Sequence, residues 1–217
     1  MVATLFDFNG VLVDDEDVHL ACFREVLLPL GIGIPDDVYK DRYLGFDDAG
    51  AFAALLADAG RACDAETVRR LIEAKKPLYM EHARRGLRVF PGAAGLVRRR
   101  AARGVVGVVS GALAAEIDFA LGVMGVRDAV AFVVAAEHVR ACKPDPEGYL
   151  VALARLGADQ AAVVVEDSLA GVEAAKRAGL RCVAVAHSYD EAALRAAGAD
   201  AVARTVADLD DALLEGP

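Results

Sequence analysis

The sequence predicts an α/β fold, a doubly wound parallel sheet with helices on both faces and a helical segment inserted after the first strand. Two observations support this prediction. Short Val-rich runs alternate with helical stretches in the second half of the chain, which is the pattern of βαβ crossovers. After the first apolar run, by contrast, a long stretch has helical periods, many charges and no good strand.

The predicted elements divide the chain into two domains. Residues 1–14 and 87–217 are predicted to form the α/β core, and residues 15–86 a helical subdomain. The strands are predicted at 2–7, 105–110, 129–136, 161–167, 181–186 and 200–204, and the helices of the core within 90–104 and at 112–122, 146–156, 168–178 and 189–197.

The composition limits the classes of function. Of the 217 residues 56% are hydrophobic, so the chain can bury a large core. The net charge of −9 disfavours nucleic acid and anionic membranes as partners, and an anionic substrate would need a local positive site. The triplet Arg98, Arg99 and Arg100 is predicted to lie on an exposed helix face. Either a monomer or a homodimer is compatible with this composition.

The sequence carries no signal for export or for membrane insertion. No apolar stretch is long enough to span a bilayer, and no basic segment precedes the first apolar run. The cysteines are scattered without a Cys-x-x-Cys pair, so structural zinc is disfavoured. These features predict a reduced, cytoplasmic protein.

Polar side chains occur where predicted strands end. Asp7 ends the first strand, Ser110 the second, and Glu166 and Asp167 a later one, while Lys143 lies in a loop that opens a helix. Ligands of open parallel sheets bind at the carboxyl ends of the strands. We therefore expect these side chains, which are far apart in sequence, to converge on one rim.

Asp7 is followed by Asn9 and Gly10, and this pattern has two interpretations. A carboxylate at a strand end can attack phosphorus and form an aspartyl phosphate. Asn-Gly is also a strong signal for a two-residue hairpin turn. Both interpretations stay open, because a β-turn can carry a nucleophile at its base.

Four residues are candidates for binding a substrate. Ser110 and Gly111 precede a helix whose start can hold a phosphate, although Ser110 also fits a simple helix cap. Lys143 can neutralise a phosphoryl group, and the prolines beside it favour a fixed loop over a solvated lysine. His19, in the insert, could face either the site or the solvent.

Glu166 and Asp167 are adjacent carboxylates after three valines. They should repel each other unless a cation lies with them, and Mg²⁺ binds one or two carboxylates together with phosphate and water. Asp167 could instead cap the next helix. Ser168 could fill that role too, so the spare acids favour a metal site.

Four segments make the chain resemble the haloacid dehalogenase-like (HAD) hydrolase superfamily over essentially its full length. They are FDFNGVLVD at 6–14, VVSGA at 108–112, CKPDPEGY at 142–149 and VVEDSLAGVEAAKRAG at 164–179. The resemblance is greatest to the branch with a small helical cap after the first strand, which includes phosphoglycolate phosphatases and β-phosphoglucomutase.

The resemblance implies a Rossmann-like core and a role for each motif. Asp7 would be the nucleophile and an Mg²⁺ ligand, with the backbone carbonyl of Asn9 and the side chain of Asp167 as further ligands. Glu166 would bind the metal directly or through water. Ser110 and the amides after it would hold the phosphoryl oxygens, and Lys143 would bridge phosphate and nucleophile. The cap would close over a small phosphorylated metabolite and select it.

Asn9 departs from the family pattern, in which an Asp protonates the leaving oxygen and later activates water. An amide can do neither at neutral pH, and such acid–base help is typically worth ~10²–10⁴-fold. The sequence therefore predicts an Mg²⁺-dependent phosphatase-like hydrolase whose turnover is impaired or altered by Asn9.

Several explanations of Asn9 stay open. The residue could be natural, with good leaving groups or another proton relay, or it could be an engineered trap. The protein could instead be a pseudo-enzyme that binds a phosphorylated ligand, or could catalyse dehalogenase-type chemistry, although the acidic pair favours a metal. A β-phosphoglucomutase-like phosphotransferase would need a retained phosphoenzyme and a bisphosphate intermediate.

Overall fold

The computed structural model describes residues 1–157 and 160–216. It confirms the predicted α/β class, because a Rossmann-like sheet of six parallel strands carries helices between the strands. The chain divides into two compact units, Met1–Asp14 with Arg88–Pro217 and Asp15–Leu87, which we call the first and second units. Positions 158, 159 and 217 of the predicted core range lie outside the described residues.

The first unit contains the sheet. Its strands are β1 (Ala3–Phe6), β2 (Val106–Val109), β3 (Phe132–Val134), β4 (Ala162–Glu166), β5 (Arg181–Val185) and β6 (Ala201–Ala203). Its helices, numbered after the four of the second unit, are α5 (Ala93–Ala101), α6 (Ala114–Val123), α7 (Glu147–Leu156), α8 (Leu169–Arg177), α9 (Glu191–Ala196) and α10 (Asp211–Glu215).

The order of the strands puts β1 at the centre of the sheet. The order is β3-β2-β1-β4-β5-β6, and every residue of β1 is buried. Val-rich runs such as those of β2 and β4 suit strands that are covered on both faces. Phe6 pairs with Val108 on one side and Val165 on the other, so the residues that follow these strands lie at the same edge.

The loop after β1 is not a hairpin. Both partners of β1 are parallel strands, and the chain turns back through Gly10, whose φ is +75°. The amide of Gly10 donates to the carbonyl of Val13 at 2.9 Å. Asn9 therefore stands in a tight loop at the carboxyl edge of the sheet.

Two strand ends differ from the prediction. The strand predicted at 129–136 is only β3, because short 3₁₀ turns at Arg127–Ala129 and Ala136–His138 flank it. An apolar run indicates burial but not where regular pairing stops, so these turns were not visible in the pattern.

The prediction that all three arginines of α5 are exposed is wrong for Arg100, which is 1% exposed. Its guanidinium donates to Thr4 Oγ1 at 2.9 Å, to Asp211 Oδ1 at 2.9 Å and to Glu215 Oε1 at 2.8 Å. Thr4 belongs to β1 and the two acids to α10. These partners are more than ninety residues away, so a local pattern of three arginines could not indicate them.

The second unit is helical, as the pattern of residues 15–86 indicates. Its helices are α1 (Glu16–Leu27), α2 (Asp36–Arg42), α3 (Asp48–Asp58) and α4 (Ala65–Gly86). They enclose a separate core in which Phe23 and Phe52 pack edge to face. Within the described part of the chain, no helix combines the length and the apolar character that a membrane span requires.

Candidate active site

Three buried carboxylates and one lysine lie together at the carboxyl edge of the sheet. Asp7 follows β1, Glu166 ends β4 and Asp167 is next to it. Lys143, from the loop before α7, places Nζ 2.6 Å from Asp7 Oδ1 and 2.5 Å from Glu166 Oε1. One cation thus faces an excess of negative charge.

Glu166 is held by several donors. Lys143 and the Tyr149 hydroxyl, at 2.9 Å, donate to Oε1. The amides of Asp167 and Ser168 and the Ser168 hydroxyl donate to Oε2 at 3.0 to 3.2 Å. Gly171 lies so close that a Cβ built there would be 1.9 Å from Oε1. Both oxygens of Glu166 therefore accept hydrogen bonds, and Lys143 is one of the donors.

Asp167 contacts two loops. The Ser188 hydroxyl, just after β5, donates to Asp167 Oδ2. Gly10 lies beside the same carboxylate, and a Cβ built there would be 2.0 Å from Oδ2. Glycine is therefore required at position 10 by both its positive φ and its neighbour.

His187 supports the loop after β1. Its Nδ1 lies 2.7 Å from the Gly10 carbonyl oxygen, while the Val206 amide donates to Nε2 at 3.4 Å. Nε2 therefore accepts, and Nδ1 carries the proton and donates to Gly10. The ring stacks on Phe90 at a centroid distance of 4.0 Å.

Asn9 and Ser110 are also neighbours. The Ser110 hydroxyl donates to Asn9 Oδ1 at 3.4 Å and accepts from the Ala112 amide at 3.1 Å. The amides of Leu113 and Ala114 donate to the carboxylates of Glu116 and Glu137 respectively. These later amides, which we expected to hold phosphoryl oxygens, thus already have acceptors.

A cavity of about 20 Å³ adjoins the lysine, and its lining includes Ser110, Gly111, Lys143 and Tyr149. A cavity of this size can hold about one water molecule. The second strand end and the lysine loop therefore border one space.

Burial and mutual repulsion alter the titration of this cluster. Burial raises the pKa of Asp7 to about 7, Lys143 opposes the rise and Glu166 adds to it. Burial, with the charges of Glu166 and Asp7, raises the pKa of Asp167 well above its usual range. Burial disfavours the charged form of Lys143, yet its pKa is raised because Asp7 and Glu166 stabilise the cation.

The cluster fits a divalent cation. Asp7, Glu166 and Asp167 each offer a carboxylate oxygen, and these oxygens lie within 4.8 Å of one another. Hard oxygen ligands of this kind suit Mg²⁺. A bound cation would also favour the charged forms of Asp7 and Asp167, whose pKa values are raised by burial and by neighbouring carboxylates.

His19 lies in a polar cluster of the second unit. The fully buried Lys75 donates to Asp48 Oδ1 at 2.5 Å and contacts His19 Nδ1 at 2.8 Å. His19 Nε2 faces Asp15 Oδ2 at 3.5 Å, and Tyr79 donates to the same oxygen at 2.6 Å. Both ring nitrogens of His19 are thus engaged.

The predicted residues of the first unit are brought together, and sequence reasoning missed three others. Tyr149 lies inside a motif already noted, whereas His187 and Ser188 immediately follow a predicted strand. The rule that ligands meet at strand ends could have found the last two. They were overlooked because no charged residue stands there.

Comparisons with known proteins agree with this architecture. The family model described as haloacid dehalogenase-like hydrolase matches residues 4–185. The chain is 33% identical over 205 residues to Protein SUPPRESSOR OF QUENCHING 1, chloroplastic, of Arabidopsis thaliana, which covers 90% of this chain but only 19% of that longer protein.

Two further matches span nearly whole chains. A phosphorylated carbohydrates phosphatase of Thermotoga maritima is 30% identical over 209 residues, 94% of both chains. The crystal structure of CbbY from Rhodobacter sphaeroides in complex with phosphate is 26% identical, with a TM-score of 0.87 and full coverage of both chains. These matches confirm the predicted resemblance and the hydrolase class. The chain belongs to the haloacid dehalogenase-like hydrolase family.

Proposed function

We propose that this protein is an Mg²⁺-dependent phosphatase for a small phosphorylated metabolite, that it forms an aspartyl phosphate on Asp7, and that Asn9 slows its turnover. The observation that carries the proposal is the convergence of Asp7, Lys143, Glu166 and Asp167 at the carboxyl edge of the sheet. The phosphatase name of the Thermotoga relative and the phosphate in the CbbY crystal structure support the substrate class.

Each residue has a task that follows from its contacts. Asp7 attacks phosphorus, and Lys143, fixed by Glu166, balances charge between the carboxylate and the phosphoryl group. The Ser110 hydroxyl and the Gly111 amide hold the phosphoryl oxygens. Asp7, Asp167 and the Asn9 carbonyl would bind the metal, with Glu166 supporting. When bound, Mg²⁺ supplies charge that stabilises the phosphoryl oxygens.

Asn9 withholds the proton transfers that ordinary phosphomonoesters need. Its amide neither protonates a leaving alkoxide nor accepts a proton from water, whereas its backbone carbonyl is unaffected by the side chain. Phosphate binding and metal binding should therefore persist while hydrolysis is slow. Residues 15–86, with His19, remain our predicted determinants of substrate choice.

A phosphate-release assay with Mg²⁺ and a panel of sugar and small-acid phosphates tests this proposal. We expect Asn9→Asp to raise turnover by ~10²–10⁴-fold, because it introduces the acid and base. Asp7→Asn should abolish the activity in either background. Asp14→Asn is the matched control, since it removes an exposed carboxylate of the same loop that pairs with Arg88.

The second candidate function is a phospho-ligand-binding protein without turnover, and Asn9 is the observation that favours it. This candidate replaces the first if Asn9→Asp turns over nothing while phosphorylated metabolites still bind in calorimetry. Asn9 is the only asparagine of the chain and precedes a glycine, so its deamidation can be checked by peptide mass. That check separates genuine activity from activity of deamidated molecules.

A further inference from the structure

Among the residues that the structure describes, no side chain around Asp7 is placed to give a proton to a leaving group. An alkyl phosphate releases an alkoxide, which is about as basic as hydroxide. Such a group needs a proton as its bond to phosphorus breaks. In the first unit the buried carboxylates among the described residues are Asp7, Glu116, Glu166 and Asp167.

None of these carboxylates is placed to act as the acid. Glu166 accepts from Lys143, Tyr149 and its own following residues, so both oxygens are occupied. Asp7 and Asp167 are reserved as the nucleophile and a metal ligand. Glu116 caps the start of α6 through the Leu113 amide.

The lysine and the histidines are not placed to supply the proton either. Lys143 already donates to two carboxylates, and without its proton they would face each other with no cation between them. His187 uses Nδ1 on the Gly10 carbonyl and Nε2 on the Val206 amide. In the second unit His19 is engaged by Lys75 and Asp15.

We propose, on the basis of the proposed role of Asp7, that the productive substrates are acyl phosphates, mixed anhydrides of phosphoric and carboxylic acids. A carboxylate leaves without a proton, because its conjugate acid has a pKa of about 4. In the step, an oxygen of Asp7 bonds to phosphorus while the bond from phosphorus to the acyl oxygen breaks. The departing carboxylate keeps the electron pair of that bond.

The same site should then retain the phosphoryl group. The product is itself an acyl phosphate on Asp7, so its formation from another acyl phosphate exchanges like bonds and is not strongly uphill. Hydrolysis requires a water whose proton is taken up, and the amide of Asn9, which accepts from Ser110, cannot take it. The phosphorylated chain therefore accumulates.

Intact mass spectrometry after incubation with Mg²⁺ and acetyl phosphate tests the inference. We expect the wild-type chain to gain one phosphoryl group that neutral hydroxylamine removes, and Asp7→Asn to gain none. An alkyl phosphate should phosphorylate the wild-type chain at least ~10²-fold more slowly. Asn9→Asp should release phosphate from both donors and hold little phosphoenzyme. Asn9→Ala, which cannot deamidate, should likewise retain the phosphoryl group, because alanine supplies no base for hydrolysis.

The possible failures are distinguishable. If the wild type and Asn9→Ala turn over alkyl phosphates within about tenfold of Asn9→Asp, another group supplies the proton and the inference is wrong, although Asp7 remains the nucleophile. If Asn9→Asp hydrolyses alkyl phosphates but acetyl phosphate leaves the wild type unmodified, the inference alone fails. If no variant is phosphorylated or releases phosphate, the proposed function fails with it.

Discussion

At the scale of single residues, small side chains determine where the charged ones can lie. Gly171 allows the carboxylate of Glu166 to turn back over the start of α8, and Gly10 allows Asp167 to contact the loop after β1. A β-carbon at either position would overlap a carboxylate that hydrogen bonds hold in place. These glycines are therefore as important to the geometry of the site as the acids.

Gly171→Ala adds only one methyl group but should strongly slow phosphoryl transfer. The new methyl group would displace Glu166, and Lys143 would lose one of its two partners. We expect phosphoryl transfer from acetyl phosphate to fall by about 10²-fold or more, because misplaced catalytic groups can cost that much. Rapid-quench measurement of phosphoenzyme formation checks this.

Gly95→Ala is the matched control for that variant. Gly95 is an exposed helical glycine in α5, and a Cβ built there meets nothing within 4 Å. This change should stabilise the chain by about 0.5–1 kcal/mol and leave the reaction unchanged. Equal reaction rates in the two variants would contradict the role assigned to Gly171.

Ser188→Ala should weaken the metal site. The hydroxyl stabilises the charged form of Asp167, so its loss raises the cost of presenting that carboxylate to a cation. We expect the affinity for Mg²⁺ alone to fall by about tenfold, as measured by calorimetry. Ser188→Thr keeps the hydroxyl and should restore most of the affinity. An unchanged affinity in Ser188→Ala would mean that the Ser188 hydroxyl does not contribute to metal binding.

At the scale of elements, α10 is joined to the centre of the sheet by a buried arginine. Arg100 reaches from α5 to Thr4 of β1 and to both acids of α10. Arg103, in the turn that follows α5, contacts Glu215 from an exposed position. The two arginines thus offer a buried and an exposed ion pair with the same acid.

The double variant Asp211→Ala with Glu215→Ala should therefore destabilise the fold by about 3–5 kcal/mol, because it leaves the Arg100 charge buried without an acidic partner. Arg100→Met, which removes that charge and keeps the volume, should cost much less. Arg103→Ala should cost much less than the double variant, since its ion pair with Glu215 is exposed to solvent. Urea denaturation measures all three. Similar losses in the double variant and in Arg103→Ala would mean that burial of Arg100 is unimportant.

At the scale of the whole molecule, the acidic cluster makes stability depend on pH in an unusual direction. Asp7 has its pKa raised by burial from 3.8 to about 7. The folded state therefore binds a proton that the unfolded state has already released between these values. By linkage, its contribution is present at low pH and is lost as pH rises through about 7.

Without metal, Asp7→Asn should gain stability relative to the wild type as pH increases from about 4 to about 7, because the amide stays neutral. Denaturation in EDTA across this range measures the difference. Saturating Mg²⁺ should stabilise the wild type, by about 2.7 kcal/mol at a hundred times its dissociation constant. A difference that shrinks with rising pH would contradict the assigned direction.

The sequence by itself determined the alternation of strands and helices, the helical stretch after the first strand and the identity of most polar groups at the strand ends. These follow from local periodicity and from the rule that parallel strands share a carboxyl edge. It did not reveal Tyr149 as a partner of Glu166, His187 and Ser188 as supports of the site, or Arg100 as a buried residue.

Only the tertiary structure decided those contacts, for a physical reason. Each joins residues that are remote in the chain, or depends on how closely a glycine lets two backbones approach. Hydrophobic periodicity records which face of an element is buried, but not which polar atom lies across from it. The pairing of Lys143 with both Asp7 and Glu166 is therefore a property of the folded sheet edge. The presence at position 9 of an asparagine, which cannot act as an acid or a base, was evident from the sequence alone.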